Sequence, residues 1–311
     1  MSRFTFFGTE NTNIPEKVEA IDVQPLNNNI LFKEGEAKYR SVQLAVIKMN
    51  GIIENHVETK LEYHVKKYIN NGQLMVRVTL ADQIVAIQPS YLQENLDLMS
   101  KIDVIKSNAL VVVNPKTGKI LRIDNMDEIK ANWLAFKNEV MSSTSFVKSP
   151  EMRANIDTFL VNVEQQMTED NILLDFQVRP FFDLFFDKYL VNDQFIMKPF
   201  TKLYYSQLFD RLPVDFKVTE EIFDETPSSI SILKAGRLVE GNPHLVDFEK
   251  IYDLRYKPSI GYKFSGYDYN HETRVIYDLN ENMLSDANMV ITEEVKNNIE
   301  LFVDYKLQRI E

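Results

Sequence analysis

Two Asn-Gly dipeptides do most to limit what this chain can become. Asn50-Gly51 and Asn71-Gly72 each end a long run in which apolar and polar residues alternate, YRSVQLAVIKM before the first and HVETKLEYHVKKY before the second. Alternation with a period of two puts every other side chain on one face of a strand. Asn-Gly takes up the positive φ values of a two-residue hairpin turn, so it joins neighbouring strands tightly and antiparallel. The stretch from Tyr39 to Val85 therefore predicts an antiparallel meander. Strands of about ten residues predict a wide, curved sheet.

Downstream, VVVNPKTGKILRIDN at 111–125 contains KTGKI, which looks like the tail of a phosphate-binding loop. That loop needs a glycine five positions before its Gly-Lys pair and a Ser or Thr after it, because backbone amides wrap phosphate and a hydroxyl reaches magnesium. Val113 and Ile120 hold those places. Pro115 sets φ for a turn, Gly118 supplies a left-handed position, and a strand comes next where an anion site would use a helix. A hairpin without nucleotide function is expected.

The centre of the chain changes period. Asn125 can cap a helix whose first turn carries Asp127 and Glu128, and Ile129, Trp133, Phe136 and Val140 then draw one apolar stripe. Ser149-Pro150-Glu151 announces a second helix with the stripe Met152, Ile156, Phe159, Val163 and Met167. Asn171 to Leu190 predicts a third, broken near Pro180. Strand signals return in FKVTEEIF, SISIL, GYKFSGYDYN, TRVIYDLNENMLSDANMVI and NNIELFVDYKLQRI. The expected fold class is α+β: antiparallel curved sheets at the N- and C-terminal ends with a central group of about three helices. The expected segments are an extended stretch over 1–38, an N-terminal sheet over 39–125, helices over 126–192, and a C-terminal sheet over 193–311 that can join the first.

At 311 residues such a chain buries roughly three quarters of its unfolded surface and needs no staple. Cysteine is absent, which removes thiolate nucleophiles, zinc-thiolate sites and disulfides together. With four histidines as well, no metal and no cofactor is expected. A net charge of −11 disfavours nucleic acid, whose binding depends on Lys and Arg at phosphates. The start, MSRFTFFGTENTNIPEK, lacks the apolar core of about 7–15 residues that a secretory leader needs. The most apolar window, 172–186, carries Asp175, Arg179 and Asp183, so no membrane span is expected. These features predict a soluble protein, cytoplasmic unless exported with its leader already gone.

The hairpin residues Asn114-Pro115-Lys116-Thr117-Gly118-Lys119-Ile120 and the variant Tyr277-Asp278-Leu279-Asn280-Glu281-Asn282-Met283 resemble strand-turn-strand units of a group of uncharacterised bacterial β-rich proteins, many of them lipoproteins. The two share strand, short polar turn and strand, with Asn282 near the place of Gly118. Through that group the chain is similar to lipoprotein carriers. The resemblance implies a curved antiparallel sheet closed by helices around an apolar groove. It differs in showing neither leader nor lipidated cysteine.

Candidate chemistry is sparse. Asp183 and Asp187 are four apart, so on a helix both carboxylates share a face and can do acid-base work or hold a cation. The plainer reading is a solvated acidic edge, since local spacing implies no third ligand. Asp268, His271 and Glu272 in GYDYNHET can form a small metal or acid-base cluster, but the segment reads more plainly as a solvated turn, with His271 and Glu272 on opposite faces of any strand. His56 and His64 share a strand face too far apart for one metal, and His244 falls in a loop. No G-x-S-x-G or G-x-G-x-x-G occurs. Aromatic clusters remain: Phe4, Phe6 and Phe7 in FTFF, and Phe181, Phe182 and Phe185 in PFFDLFF. These are the candidate partner- or ligand-binding residues, although rings of this kind mostly build cores. The expected function is non-enzymatic, a binding or self-associating component with protein partners. The alternative is a carrier of an apolar ligand between sheet and helices, and the third a metal-independent hydrolase.

Overall fold

The computed structural model describes residues 31–142, 150–192, 197–209, 211–239, 241 and 245–311. The meander is present as β1 (Gly35–Met49), β2 (Ile52–Asn70) and β3 (Gln73–Gln88). Asn50, Gly51, Asn71 and Gly72 have φ of 51°, 76°, 49° and 75°, the doubly positive geometry that matches strand twist. Next come α1 (Gln93–Ser107), β4 (Ala109–Val113) and β5 (Ile120–Ile123). Four helices succeed them: α2 (Met126–Ser142), α3 (Pro150–Gln166), α4 (Glu169–Val178) and α5 (Pro180–Phe185). The rest comprises β6 (Phe200–Tyr205), β7 (Pro213–Glu225), β8 (Ser229–Leu238), α6 (Leu245–Arg255), α7 (Lys257–Ile260), β9 (Tyr267–Asp278), β10 (Met283–Val295) and β11 (Ile299–Arg309).

Among the described residues eleven strands form one open antiparallel sheet in the order β5-β4-β3-β2-β1-β11-β10-β9-β8-β7-β6. This corrects the expected α+β class of two terminal sheets with a central helical group: one sheet dominates, and helices also lie outside the centre, at α1, α6 and α7. The seam is β1 on β11, paired from Tyr39 with Arg309 to Met49 with Ile299. Each of these long strands would otherwise leave a row of amides and carbonyls unpaired at a sheet edge. Their patterns also agree, since Ser41, Ala45 and Ile47 lie beside Leu307, Val303 and Leu301 on one face. Such a pairing joins opposite ends of the chain, and no local pattern specifies it.

The inward face of the sheet carries the core, with helices packed on it. The α2 stripe of Ile129, Trp133, Phe136 and Val140 is buried. Thr168 caps α4 by accepting from the Asn171 amide. Arg179 then turns extended (φ −77°, ψ 125°) ahead of Pro180, which opens α5, as the residue before a proline prefers. Phe181 stacks on Tyr63 at 3.9 Å and meets Tyr39 edge-on, fixing α5 over β1 and β2. Phe248 of α6 stacks on Tyr267 of β9 at 4.2 Å.

The outward face is exposed and charge-striped. Lys60, Val42, Lys306 and Arg274 fall in one row across β2, β1, β11 and β9, and Glu58, Leu44, Asp304 and Glu272 in the next. Lys60 meets Glu58 at 2.8 Å, and Arg237 meets Glu272 at 2.9 Å. Alternating charges of this kind hold a long sheet face in water.

Candidate functional site

The side of α5 that does not face the core holds Asp183, with Asp187 one turn on. Neither is a solvated edge. Lys202 of β6 bonds Asp183, Lys234 of β8 bonds Asp187 at 2.5 Å, and Lys234 also reaches Glu220 of β7 at 3.2 Å. Lys188 meets Glu220 at 2.7 Å. Lys119 adds a second cation 4.0 Å from Asp183.

The KTGKI turn is what delivers Lys119. Asn114 accepts from the Lys116 and Thr117 amides through its side chain, and its own amide donates to the Lys119 carbonyl at 2.8 Å. Gly118 has φ of 71° and lies so close to the segment after α5 that a Cβ would sit 1.9 Å from the Asp187 carbonyl oxygen. Only glycine fits both the dihedral and the approach. The turn is a hairpin that docks on another backbone, with no nucleotide cradle.

Burial alone would raise both aspartates. For Asp183 the neighbouring Lys202 and Lys119 outweigh it and hold the carboxyl below its ordinary range. For Asp187 the same is done by Lys234 and Lys119 with a bond from the Lys188 amide. Both are fixed anions at neutral pH. They are poor proton shuttles for that reason.

Beside this cluster a narrow cleft opens between the helices and the sheet. Val178, Pro180 and Asp183 form the helical wall, Lys202, Leu203 and Tyr204 the wall on edge strand β6, and Phe216, Tyr269, His271, Met289 and Ile291 the floor. About 20 Å³ of it lies beyond a water radius from the walls. His271 points inward from mid-strand, not from a turn as the sequence suggested, while Asp268 and Glu272 face outward. Burial, then Lys202, lower its imidazole to about 4, so it is neutral. Its Nε2 pairs with the Thr273 hydroxyl at 2.5 Å. Deeper under the same sheet, Glu293 of β10 is wholly buried and accepts from the Ser206 hydroxyl and the Gln207 and Leu208 amides.

The sequence candidates are thus dispersed. Phe181, Phe182 and Phe185 lie in the core, stacked on one another or on Phe176 and Phe186. Phe4, Phe6, Phe7 and His244 lie outside the described residues. His64 sits 3.2 Å from Glu62 on the outward face. Among the described residues no group of three His, Asp or Glu side chains is placed to hold a metal. No described helix is long and apolar enough to cross a membrane. Glu293 and Lys202 were missed as site residues, and His271 was read as part of a turn. Only their isolation within otherwise apolar strand faces marks them.

No protein-family model and no curated protein matches the chain. A solved structure described as lipid-protein interactions in lipovitellin aligns with 93% of this chain and 26% of its own, at 9% identity and a TM-score of 0.39. The chain spans about a quarter of that chain's length. A likeness at this level establishes neither a shared fold nor a shared ligand. The resemblance to bacterial lipoprotein-like sheets has no family match behind it.

Proposed function

We propose that the protein is a non-catalytic carrier of a slender apolar ligand, held between the sheet and the α4–α5 helices. The observation that supports this is the cleft at edge strand β6. It has apolar and aromatic walls with a few convergent polar groups, the usual make-up of a small-molecule site. The space beyond a water radius from its walls is about 20 Å³, far under the common range of about 300–1,000 Å³, so β6 and the helices must part to admit even one chain. The reading takes nothing from the lipovitellin likeness.

A carrier needs no nucleophile or proton shuttle, and Asp183, Asp187 and the neutral His271 are ill suited to either task. Assembly with protein partners had its support in the phenylalanine clusters. The described cluster, Phe181, Phe182 and Phe185, is buried and offers no surface.

Native mass spectrometry of freshly purified protein, with organic extraction of the same sample, tests the proposal. A stoichiometric apolar adduct is the expected result. A protein that stays bare after incubation with mixed lipids and fatty acids would sink it, and higher oligomers without adduct would restore the assembly reading.

A further inference from the structure

Along the rim of the sheet, amides that lack a neighbouring strand are taken up by side chains. The Leu80 amide of β3 donates to Asn108, the Ile87 amide to Gln93, and the Ile123 amide of β5 to Glu169. β7 differs. β6 pairs with it only from Pro213 to Val218, so Thr219 to Glu225 run on with β8 on one side and, among the described residues, no strand on the other. The side-chain cap there is local, from Asp224 to the Glu225 amide. Every residue from Glu221 to Glu225 is exposed, Ile222 and Phe223 at 44% and 57%. The register with β8 shifts by one residue at Phe223, and the Arg274 guanidinium lies 4.5 Å over that ring. Carboxylates and a bulge are common guards of an edge, and Glu221, Asp224 and Glu225 would repel a second copy of the same strand. They do not repel a short strand that carries a cation and apolar side chains.

We infer that this edge is the docking site of the chain's own Arg3-Phe4-Thr5-Phe6-Phe7, added as a further strand beside β7 from Thr219 to the bulge. The segment has the period of a strand and stops at Gly8. Phe4 and Phe6 fall on one face of it, and Arg3, Thr5 and Phe7 on the other. Val214, Phe216 and Val218 face the core, so the same period puts Ile222 on the inward face and Glu221 on the outward one. Phe4 and Phe6 then extend the apolar row past Ile222, while Arg3 and Phe7 come to the side of Glu221 and Phe223. The tether favours this chain over a second copy. Leu31, the first described residue, donates its amide to the Val191 carbonyl at 3.3 Å, and Phe32 after it is buried. Three residues before Val191, Lys188 reaches Glu220 of β7 at 2.7 Å. The chain thus enters the fold beside the edge it would extend, and residues 8–30, with an extended reach of about 75 Å, can bring Phe7 back to it. This docking owes nothing to a ligand in the cleft.

Hydrogen exchange of the full chain, read by mass spectrometry, tests the docking. Peptides over 219–225 should exchange about tenfold or more slowly in the parent than in the double variant Phe4→Asp, Phe6→Asp, while peptides over β1 and β11 stay the same. Introduced cysteines give a second measure, because the chain has none of its own. Thr5→Cys combined in turn with Thr219→Cys, Glu221→Cys or Phe223→Cys should form an intrachain disulfide in one of the three, since facing positions on neighbouring strands come within bridging distance. Thr5→Cys with Lys60→Cys, across the sheet on β2, should form none. Equal exchange in parent and variant overturns the inference, as does a bridge to position 60 as ready as any to β7, or no bridge at all. A bridge between two chains, or protection that fades on dilution, overturns the placement within one chain and gives the edge to a neighbouring copy.

Discussion

Glu293 and Asp187 are acids under the same face of one sheet, both withdrawn from water, yet they end in opposite states. Glu293 has only neutral donors, the Ser206 hydroxyl and two backbone amides. Burial wins over those bonds and pushes its carboxyl up to about 7. Asp187 has Lys234 at 2.5 Å with Lys119 nearby, and the cations win over burial. Depth does not decide whether a buried acid is charged. The presence of a cation does, because a full charge at short range offsets desolvation that dipoles only reduce.

Removing the cation is the strongest way to break that difference. Lys234→Met should destabilise by about 3–5 kcal/mol, the range for stranding a buried partner, since Asp187 and Glu220 both lose it. Urea denaturation measures the loss. Asp187 should then behave like Glu293 and make the variant relatively more stable in acid. A loss under about 1 kcal/mol would place the pair among exposed ones.

The next effect is the pH dependence of Glu293. Its folded value lies above the ordinary 4.5, so the native state holds the proton more tightly. The stabilisation is complete below that ordinary value and fades as pH rises through about 7. The span corresponds to of order 3 kcal/mol. Asp187 has the opposite sign, with its contribution present above the unfolded value and lost as pH falls. Comparing the parent with Glu293→Gln in urea at pH 5 and pH 8 isolates the glutamate, and the gap between the two proteins should shift by that amount in favour of the variant at pH 8. A constant gap would mean that Glu293 does not titrate in this window.

Legibility in the sequence divides along the same line between local and distant. The Asn-Gly hairpins, the α2 stripe and the break at Pro180 are local, and the sequence carries them in full. Asn282, matched to Gly118 by pattern, does share its left-handed backbone, with φ of 50° against 71°. The β1–β11 seam depends on two patterns meeting across the whole chain. α1 and α6 went unread because their apolar stripes are weak: of the buried residues of α1 only Ile102 is apolar, and α6 buries Phe248 and Tyr252. The residues 261–266 read as strand are a loop before β9. Lys67 shows why site residues escape such a reading: it occupies an inward strand position and looks like a solvated lysine. It is instead buried and donates to the Glu281 and Asn282 carbonyls at 2.9 and 2.8 Å. A partner more than two hundred residues away leaves no local trace.

A smaller effect sharpens the lysine side of the comparison. Gly118→Ala forces a left-handed alanine against the Asp187 carbonyl, with the added Cβ at 1.9 Å unless the turn withdraws. The expected cost is about 1–3 kcal/mol. Withdrawal would also carry Lys119 away from Asp183. Urea denaturation measures the loss, and one under about 0.5 kcal/mol would mean that the turn withdraws from Asp187 without strain.

The smallest effect belongs to a third carboxylate, on the other face of the sheet. Glu272 meets Arg237 at 2.9 Å, a separation comparable to the buried pairs, but the two side chains are 63% and 56% exposed. Water solvates both charges whether or not they touch, and salt screens what attraction remains. Arg237→Ala should therefore cost less than about 1 kcal/mol and should cost less still in about 0.5 M salt. Lys234→Met should keep most of its penalty under the same salt, because ions do not reach a buried pair. The two variants share a bond of similar length and differ in the medium around it, so the ratio of their losses measures what burial contributes. If Arg237→Ala proved as costly as Lys234→Met, the charged rows would be part of the fold's stability and the outward face would have to be covered in solution.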